Sequence, residues 1–149
     1  MTSTTPVTVG GQFLSAHDNI QTMKDMFAAF TRGDGAAMLK CCAENVRVVL
    51  DIGGGQIPWA GEYEGHAGVE EEQRRMADAV QIDEFEQLDF LASETRVAVV
   101  SKVEMTVKKN GQKVSLPRFV QIMTFDAAGK ITHACQAYDP TELLAAWRR

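Results

Sequence analysis

With 149 residues, 45% of them hydrophobic and 23% charged, the chain has the size and balance of one globular domain, long enough to bury roughly 70% of its unfolded surface. Its formal net charge of −5 argues against a nucleic-acid backbone as partner, and no apolar run reaches the length of a membrane span. Three cysteines, Cys41, Cys42 and Cys135, lack metal-ligand spacing and read as reduced core residues of a cytoplasmic protein, since vicinal Cys41 and Cys42 could bridge only with strain.

Met1 to Gly11 is rich in Thr, Ser, Gly and Pro, without the basic start and apolar centre of a signal peptide, and belongs to an N-terminal segment over 1–15. This segment is expected to form a flexible tail ahead of a single domain over 16–149. Asp18 with Gln21 is a capping signal, and Ile20, Met23, Phe27 and Phe30 then recur at helical spacing up to Gly33-Asp34-Gly35. Ala36 to Cys42 predicts a short second helix. Val46 to Ile52 predicts a buried strand, which meets Asp51 at its end and is released by Gly53, Gly54, Gly55 and Pro58 into a loop carrying Trp59 and Tyr63.

From His66 to about Val80 a helix is expected, with Val69, Gln73, Met76 and Val80 on one face. Glu70 with Arg74, and Glu71 with Arg75, make i,i+4 pairs on a solvated face. From Ile82 the hydrophobic period shortens to two. Leu88 to Ala92 suggests a strand, and Val97 to Val107 alternates cleanly. Asn110-Gly111 is a hairpin signal. Val114 to Phe125 predicts the partner strand, with a bulge or unpaired position at Pro117. Ile131 to Tyr138 predicts a last strand, and Asp139-Pro140-Thr141-Glu142 opens a terminal helix over Leu143 to Trp147. Lysines 102, 108, 109 and 113 cluster near the hairpin tip, where a solvated sheet edge explains them. The order α-α-β-α-β-β-β-β-α predicts an α+β fold.

The stretches Phe27-Ala28-Ala29-Phe30-Thr31-Arg32-Gly33-Asp34, Pro58-Trp59-Ala60-Gly61-Glu62-Tyr63-Glu64-Gly65 and Met123-Thr124-Phe125-Asp126-Ala127-Ala128-Gly129-Lys130-Ile131, in this order, resemble the NTF2-like superfamily, and within it the SnoaL-like and ketosteroid-isomerase-like proteins. The resemblance covers about Asp18 to Trp147. It implies an NTF2-like cone, a curved mixed or antiparallel sheet wrapped around the N-terminal helices. By the same resemblance Asp51 falls at the catalytic aspartate of the steroid isomerases, Met26 where they carry an oxyanion-hole tyrosine, and Gln121 where they carry an oxyanion-hole aspartic acid. Met26 cannot donate a hydrogen bond. Gln121 can, so the implied chemistry differs from steroid isomerisation.

Asp51 shares strand parity with Arg47 and Val49. It is either a pocket acid, if Val49 points into the cone, or a polar strand end accepting backbone N–H bonds from the glycine loop. As catalytic candidates Asp51 would move a proton and Gln121 would orient an oxygen. The ligand-lining candidates are Trp59, Tyr63, Met26, Met105, Phe119, Met123, Gln136 and Tyr138. Trp59 and Tyr63 either stack on a ligand or pack the loop onto the following helix. His17, His66 and His133 are too dispersed for a metal motif; His66 reads as a cap or rim group and His133 as structural. No cofactor and no metal is expected. The expected ligand is a small apolar molecule bearing a carbonyl or ring. The activity is of isomerase or polyketide-cyclase type, with non-catalytic ligand binding or protein interaction as the alternatives. A homodimer through the outer sheet face is the expected assembly.

Overall fold

The computed structural model describes residues 15–149; all of the tail expected over 1–15 except Ser15 lies outside them. Helix α1 (Ala16–Thr31) starts earlier than the Asp18/Gln21 signal suggests, because Asp18 is the third helical residue and not the cap. Ser15 Oγ accepts from the Asp18 N–H at 3.1 Å and the Asp18 carboxylate accepts from the Ser15 N–H at 3.4 Å, a reciprocal capping box. The helix ends ahead of Gly33, whose φ of +73° needs a residue without a Cβ. Helix α2 (Gly35–Lys40) is capped by Asp34, which accepts from the Ala37 N–H at 3.0 Å. It is shorter than predicted, since the chain is already extended at Cys42.

Strand β1 (Cys42–Leu50) therefore begins before the predicted Val46 and stops before Asp51, which leads into a 3-10 turn over Ile52–Gly55. A short strand β2 (Gly61–Glu64), hidden inside the predicted loop, folds back on β1 with Val48 opposite Tyr63 and Arg47 opposite Glu64. Arg47 pairs with Glu62 and, at 3.7 Å, with Glu64. Helix α3 (Gly65–Ala79) follows. Its Gly68 presses against β2: a Cβ there would lie 3.1 Å from the carbonyl carbon of Tyr63.

Strands β3 (Val80–Ala92), β4 (Arg96–Val107), β5 (Lys113–Phe125) and β6 (Ile131–Ala137) complete a six-stranded sheet in the order β2-β1-β6-β5-β4-β3. The β1–β6 pairing is parallel and the others antiparallel, so the sheet is mixed and open, as the α+β prediction requires. Helix α4 (Thr141–Arg148) closes the chain.

Of the five register irregularities in the sheet, three lie in the β3–β4 and β4–β5 ladders. Two lie on β3, between Ile82 and Glu84 and between Gln87 and Asp89. The third is the predicted one at Pro117: the partners of β4 step from Phe119 to Leu116 between Ser101 and Val103, leaving Pro117 outside the ladder. At the hairpin only Gly111 takes positive φ, +74°. Asn110 uses its side chain instead, accepting from the Gln112 N–H at 3.0 Å and donating to the Ala146 carbonyl at 2.8 Å, which ties the turn to α4.

The core lies on the concave face. Val97, Val99, Ser101, Val103, Met105 and Val107 of β4 are all 5% exposed or less, so one whole side of that strand is inside. One apolar cluster gathers Met23, Phe27, Val97, Val99 and Phe125 under α1; a second gathers Leu50, Trp59, Met105, Leu116 and Leu143 under α4. Asn19 of α1, 1% exposed, donates to the Ser93 and Glu94 carbonyls at 3.2 and 3.0 Å and so fixes the helix across the end of the β3–β4 hairpin. No helix among the described residues is long and apolar enough to cross a membrane.

Candidate functional site

Between the helices and the concave sheet lies a cavity of about 120 Å³, the scale on which a buried apolar space accepts a single aromatic ring. Its helix wall is Met26, Phe27 and Phe30 from α1, Met38 from α2, and Val69, Glu72, Gln73 and Met76 from α3. Its sheet wall includes Val46, Val48 and Leu50 of β1, Ile82 and Phe85 of β3, Met105 of β4, and Phe119, Gln121 and Met123 of β5, with Gln136 of β6 and Tyr138 just beyond it. Trp59 closes one side, 4% exposed. The methionines make these walls adaptable, since an unbranched thioether repacks around a guest at little cost. An aromatic run stiffens one flank: Phe27 to Phe85 at 5.4 Å, Phe85 to Phe119 at 6.2 Å, and Phe119 to Tyr138 at 5.0 Å between ring centres.

Of the predicted site residues the structure gathers Met26, Trp59, Met105, Phe119, Gln121, Met123, Gln136 and Tyr138 around this cavity. Gln121 and Gln136 are direct cross-strand partners. The Gln121 Oε1 is buried and has no hydrogen-bond partner among the described residues. Burial alone pushes the Tyr138 phenol up to about 12.

Two predicted residues stand elsewhere. Asp51 is exposed and does not line the cavity. The residues of β1 that point inward are Val46, Val48 and Leu50, so Val49 and the Asp51 parity face out, beside the Arg47–Glu62 pair. Its side chain also caps no N–H of the glycine turn. Neither sequence reading of Asp51 therefore describes its position. The physical reason is that both faces of β1 carry valines, so hydrophobicity left the parity open, while the charge at Arg47 marked the outer face. Tyr63 is buried at 7% but packs rather than lines: its hydroxyl donates to the Trp59 carbonyl at 2.9 Å, and its ring lies 5.7 Å from the Arg75 guanidinium on α3.

The carboxylate that does reach the cavity is Glu72, 5% exposed. Burial, opposed only by a 2.7 Å hydrogen bond from Gln73 Nε2, raises its pKa to about 7. Sequence reading missed it inside a charge run. The signal was its spacing: Val69, Glu72 and Met76 lie at i, i+3 and i+7, on the buried face, while Glu71 binds Arg74 and Arg75 at 2.6 and 2.7 Å on the solvent face. Those guanidinium groups hold the Glu71 carboxyl below the usual range. Arg74 pairs with Glu71 and Asp78, not with the predicted Glu70.

A second, outer cleft of about 400 Å³ adjoins the cavity. Both share Phe30, Gln73, Met76, Ile82 and Phe85, which puts the way in between the end of α1, α3 and β3. Among the described residues no group of three or more His, Cys, Asp or Glu side chains is placed to hold a metal ion. His66 Nε2 lies 3.1 Å from the Cys42 carbonyl and ties α3 to β1; His133 is exposed on the outer face.

A model of the SnoaL-like domain matches residues 23–134. Among solved structures, an NTF2-like protein from Burkholderia xenovorans LB400 is 30% identical over 89% of this chain and 97% of its own, with a TM-score of 0.78. TerC, co-crystallised with polyporic acid, is 22% identical over 89% and 99% with a TM-score of 0.78. A candidate polyketide cyclase from Xanthomonas campestris pv. campestris is 22% identical over 89% and 98% with a TM-score of 0.71. The fold is thus the NTF2-like cone. No curated protein matches the chain.

Proposed function

This chain belongs to the SnoaL-like family, and we propose that it is an enzyme that takes a small, largely apolar, carbonyl-containing or cyclic molecule into the cone and performs isomerase- or cyclase-type acid–base chemistry on it without a cofactor. The observation that carries this reading is an apolar cavity in which the Gln121 amide oxygen is buried without a partner among the described residues. Leaving that acceptor unsatisfied costs about 1–3 kcal/mol, which a ligand hydroxyl, such as that of an enol, recovers by donating to it, while a carbonyl oxygen is met by the N–H of the same amide. An amide donates to a carbonyl oxygen through one end and accepts from a hydroxyl through the other. It can therefore hold both the keto and the enol form of one group, and donation to a developing oxyanion is the useful half. The names of two structural neighbours, a candidate polyketide cyclase and a protein crystallised with polyporic acid, are consistent with this class.

Acetophenone, with toluene as its apolar control, tests the reading by calorimetry. Both should bind the wild-type protein. Gln121→Leu should weaken acetophenone about tenfold, the worth of one hydrogen bond, and leave toluene unchanged. Equal acetophenone affinity in the variant would remove Gln121 from the site, and no binding of either ring would remove the ligand cavity.

We further propose that a second copy covers the convex sheet face. Leu91, Ala98, Ile122 and Cys135 are successive cross-strand partners there, and Leu91 is 57% exposed. Sedimentation equilibrium should give twice the chain mass; a monomer overturns the dimer. The three cysteines are unpaired, which is consistent with a cytoplasmic setting.

A further inference from the structure

We propose that Glu72, and not the strand-end aspartate, is the proton-transfer residue of the cavity, and that it acts on the carbon next to the carbonyl of an enolisable ligand. The inference rests on reading the cavity as the ligand site.

Glu72 projects from the helix wall, while Gln121 belongs to the sheet wall. A ligand whose oxygen bonds to Gln121 therefore turns another part of itself towards α3. Among the described residues the Glu72 carboxylate receives one hydrogen bond, from Gln73 to Oε1. Oε2 is left for the ligand. Gln73 also lines the outer cleft, so the contact that orients the carboxylate stands at the way in.

Among the described residues no other charged side chain lines the cavity. The remaining titratable side chains there are Cys42 from β1 and Tyr138 beyond β6; Cys135 borders the cavity through its strand, but its parity is that of the convex face, with Val49 and Ile122. Burial pushes the Cys42 thiol up to about 11 and the Tyr138 phenol up to about 12, so both keep their protons at neutral pH. Glu71 and Arg75, beside Glu72 on α3, pair with each other on the solvent side. The pKa of about 7 reached by Glu72 through burial suits a group that must both take and return a proton near neutrality.

The step balances without an oxidant or reductant. Glu72 Oε2 takes a proton from the α-carbon. The C–H pair forms the carbon–carbon double bond, and the carbonyl π pair moves to oxygen, where the Gln121 N–H stabilises it. Glu72 then returns the proton to a carbon of the enolate, restoring the carbonyl and the free carboxylate.

Deuterium incorporation into the methyl group of acetophenone in D₂O, followed by NMR, tests this. The wild-type protein should accelerate exchange, with a rate that rises as pH passes about 7. Glu72→Gln should slow exchange at least about 100-fold while acetophenone affinity stays within about threefold, because the amide keeps the shape and a donor. Asp51→Asn should exchange like the wild type. Equal exchange by Glu72→Gln overturns the assignment, and so does a wild-type protein that binds acetophenone without accelerating exchange; in both cases the Gln121-dependent binding still stands. A wild-type protein that binds no acetophenone overturns the ligand site and this proposal together.

Discussion

The end of β1 and the inner face of α3 each carry a carboxylate, and the fold places the two in opposite surroundings. Asp51 stands in solvent, just past the end of its strand, where the chain enters the 3-10 turn. Glu72 lies among methionines and phenylalanines with one amide for company. The same contrast recurs within a single turn of helix. Glu71 is held ionised by two arginines, while its neighbour Glu72 is pushed towards neutrality by burial. A carboxylate's chemistry here follows from the direction its side chain takes out of the backbone, and not from its distance along the chain to an apolar segment.

That contrast implies that the β1 end serves the site by packing and the α3 face by chemistry. The largest expected effect that would sharpen it is on Trp59, which is 4% exposed and lines the cavity. Trp59→Ala should lower the unfolding free energy by about 3–5 kcal/mol in urea titrations. A loss below about 1 kcal/mol would mean that the loop after Asp51 does not hold the wall.

A smaller effect separates the two carboxylates by pH. Folding raises the pKa of Glu72 from its ordinary value of 4.5 to about 7. Below 4.5 both the folded and unfolded chains hold the proton. Between 4.5 and 7 only the folded chain does, so the contribution of this group falls as pH rises, by about 1.4 kcal/mol per pH unit, and levels off above 7. Glu72→Gln cannot titrate. It should match the wild type at pH 4.5 and exceed its stability by about 3 kcal/mol at pH 8. A gap that stays below about 1 kcal/mol would place Glu72 in water and break the comparison. The smallest effect is that of Asp51→Asn, which should stay within about 0.5 kcal/mol of the wild type at both values, as exposed substitutions do.

The elements were largely legible in the sequence because local pattern writes them. The alternation of Val97 to Val107 could only be a half-buried strand, and Pro117 could only interrupt a ladder. The cavity-lining role of Gln121, Met123, Gln136 and Tyr138 was legible for the same reason, since each shares parity with neighbours that must face the core. Strand β2 was not, because four residues with glycine at one end carry too little period to be seen until β1 lies beside them. Nor was the role of Asn110, whose contact to Ala146 spans 36 positions.

What the sequence determined by itself was the list of helices and strands, their order, and hence an α+β chain with an apolar interior. What only the tertiary structure decided was which carboxylate enters that interior. β1 offers valines on both faces, so its parity was set by β2 and β6 pairing on either side and by the helices covering one face. α3 offers a run of charges, so the one that turned inward was set by how Gly68 lets the helix press against Tyr63. Parity and helix rotation are settled by neighbours distant in sequence, and the electrostatics of Asp51 and Glu72 follow from them.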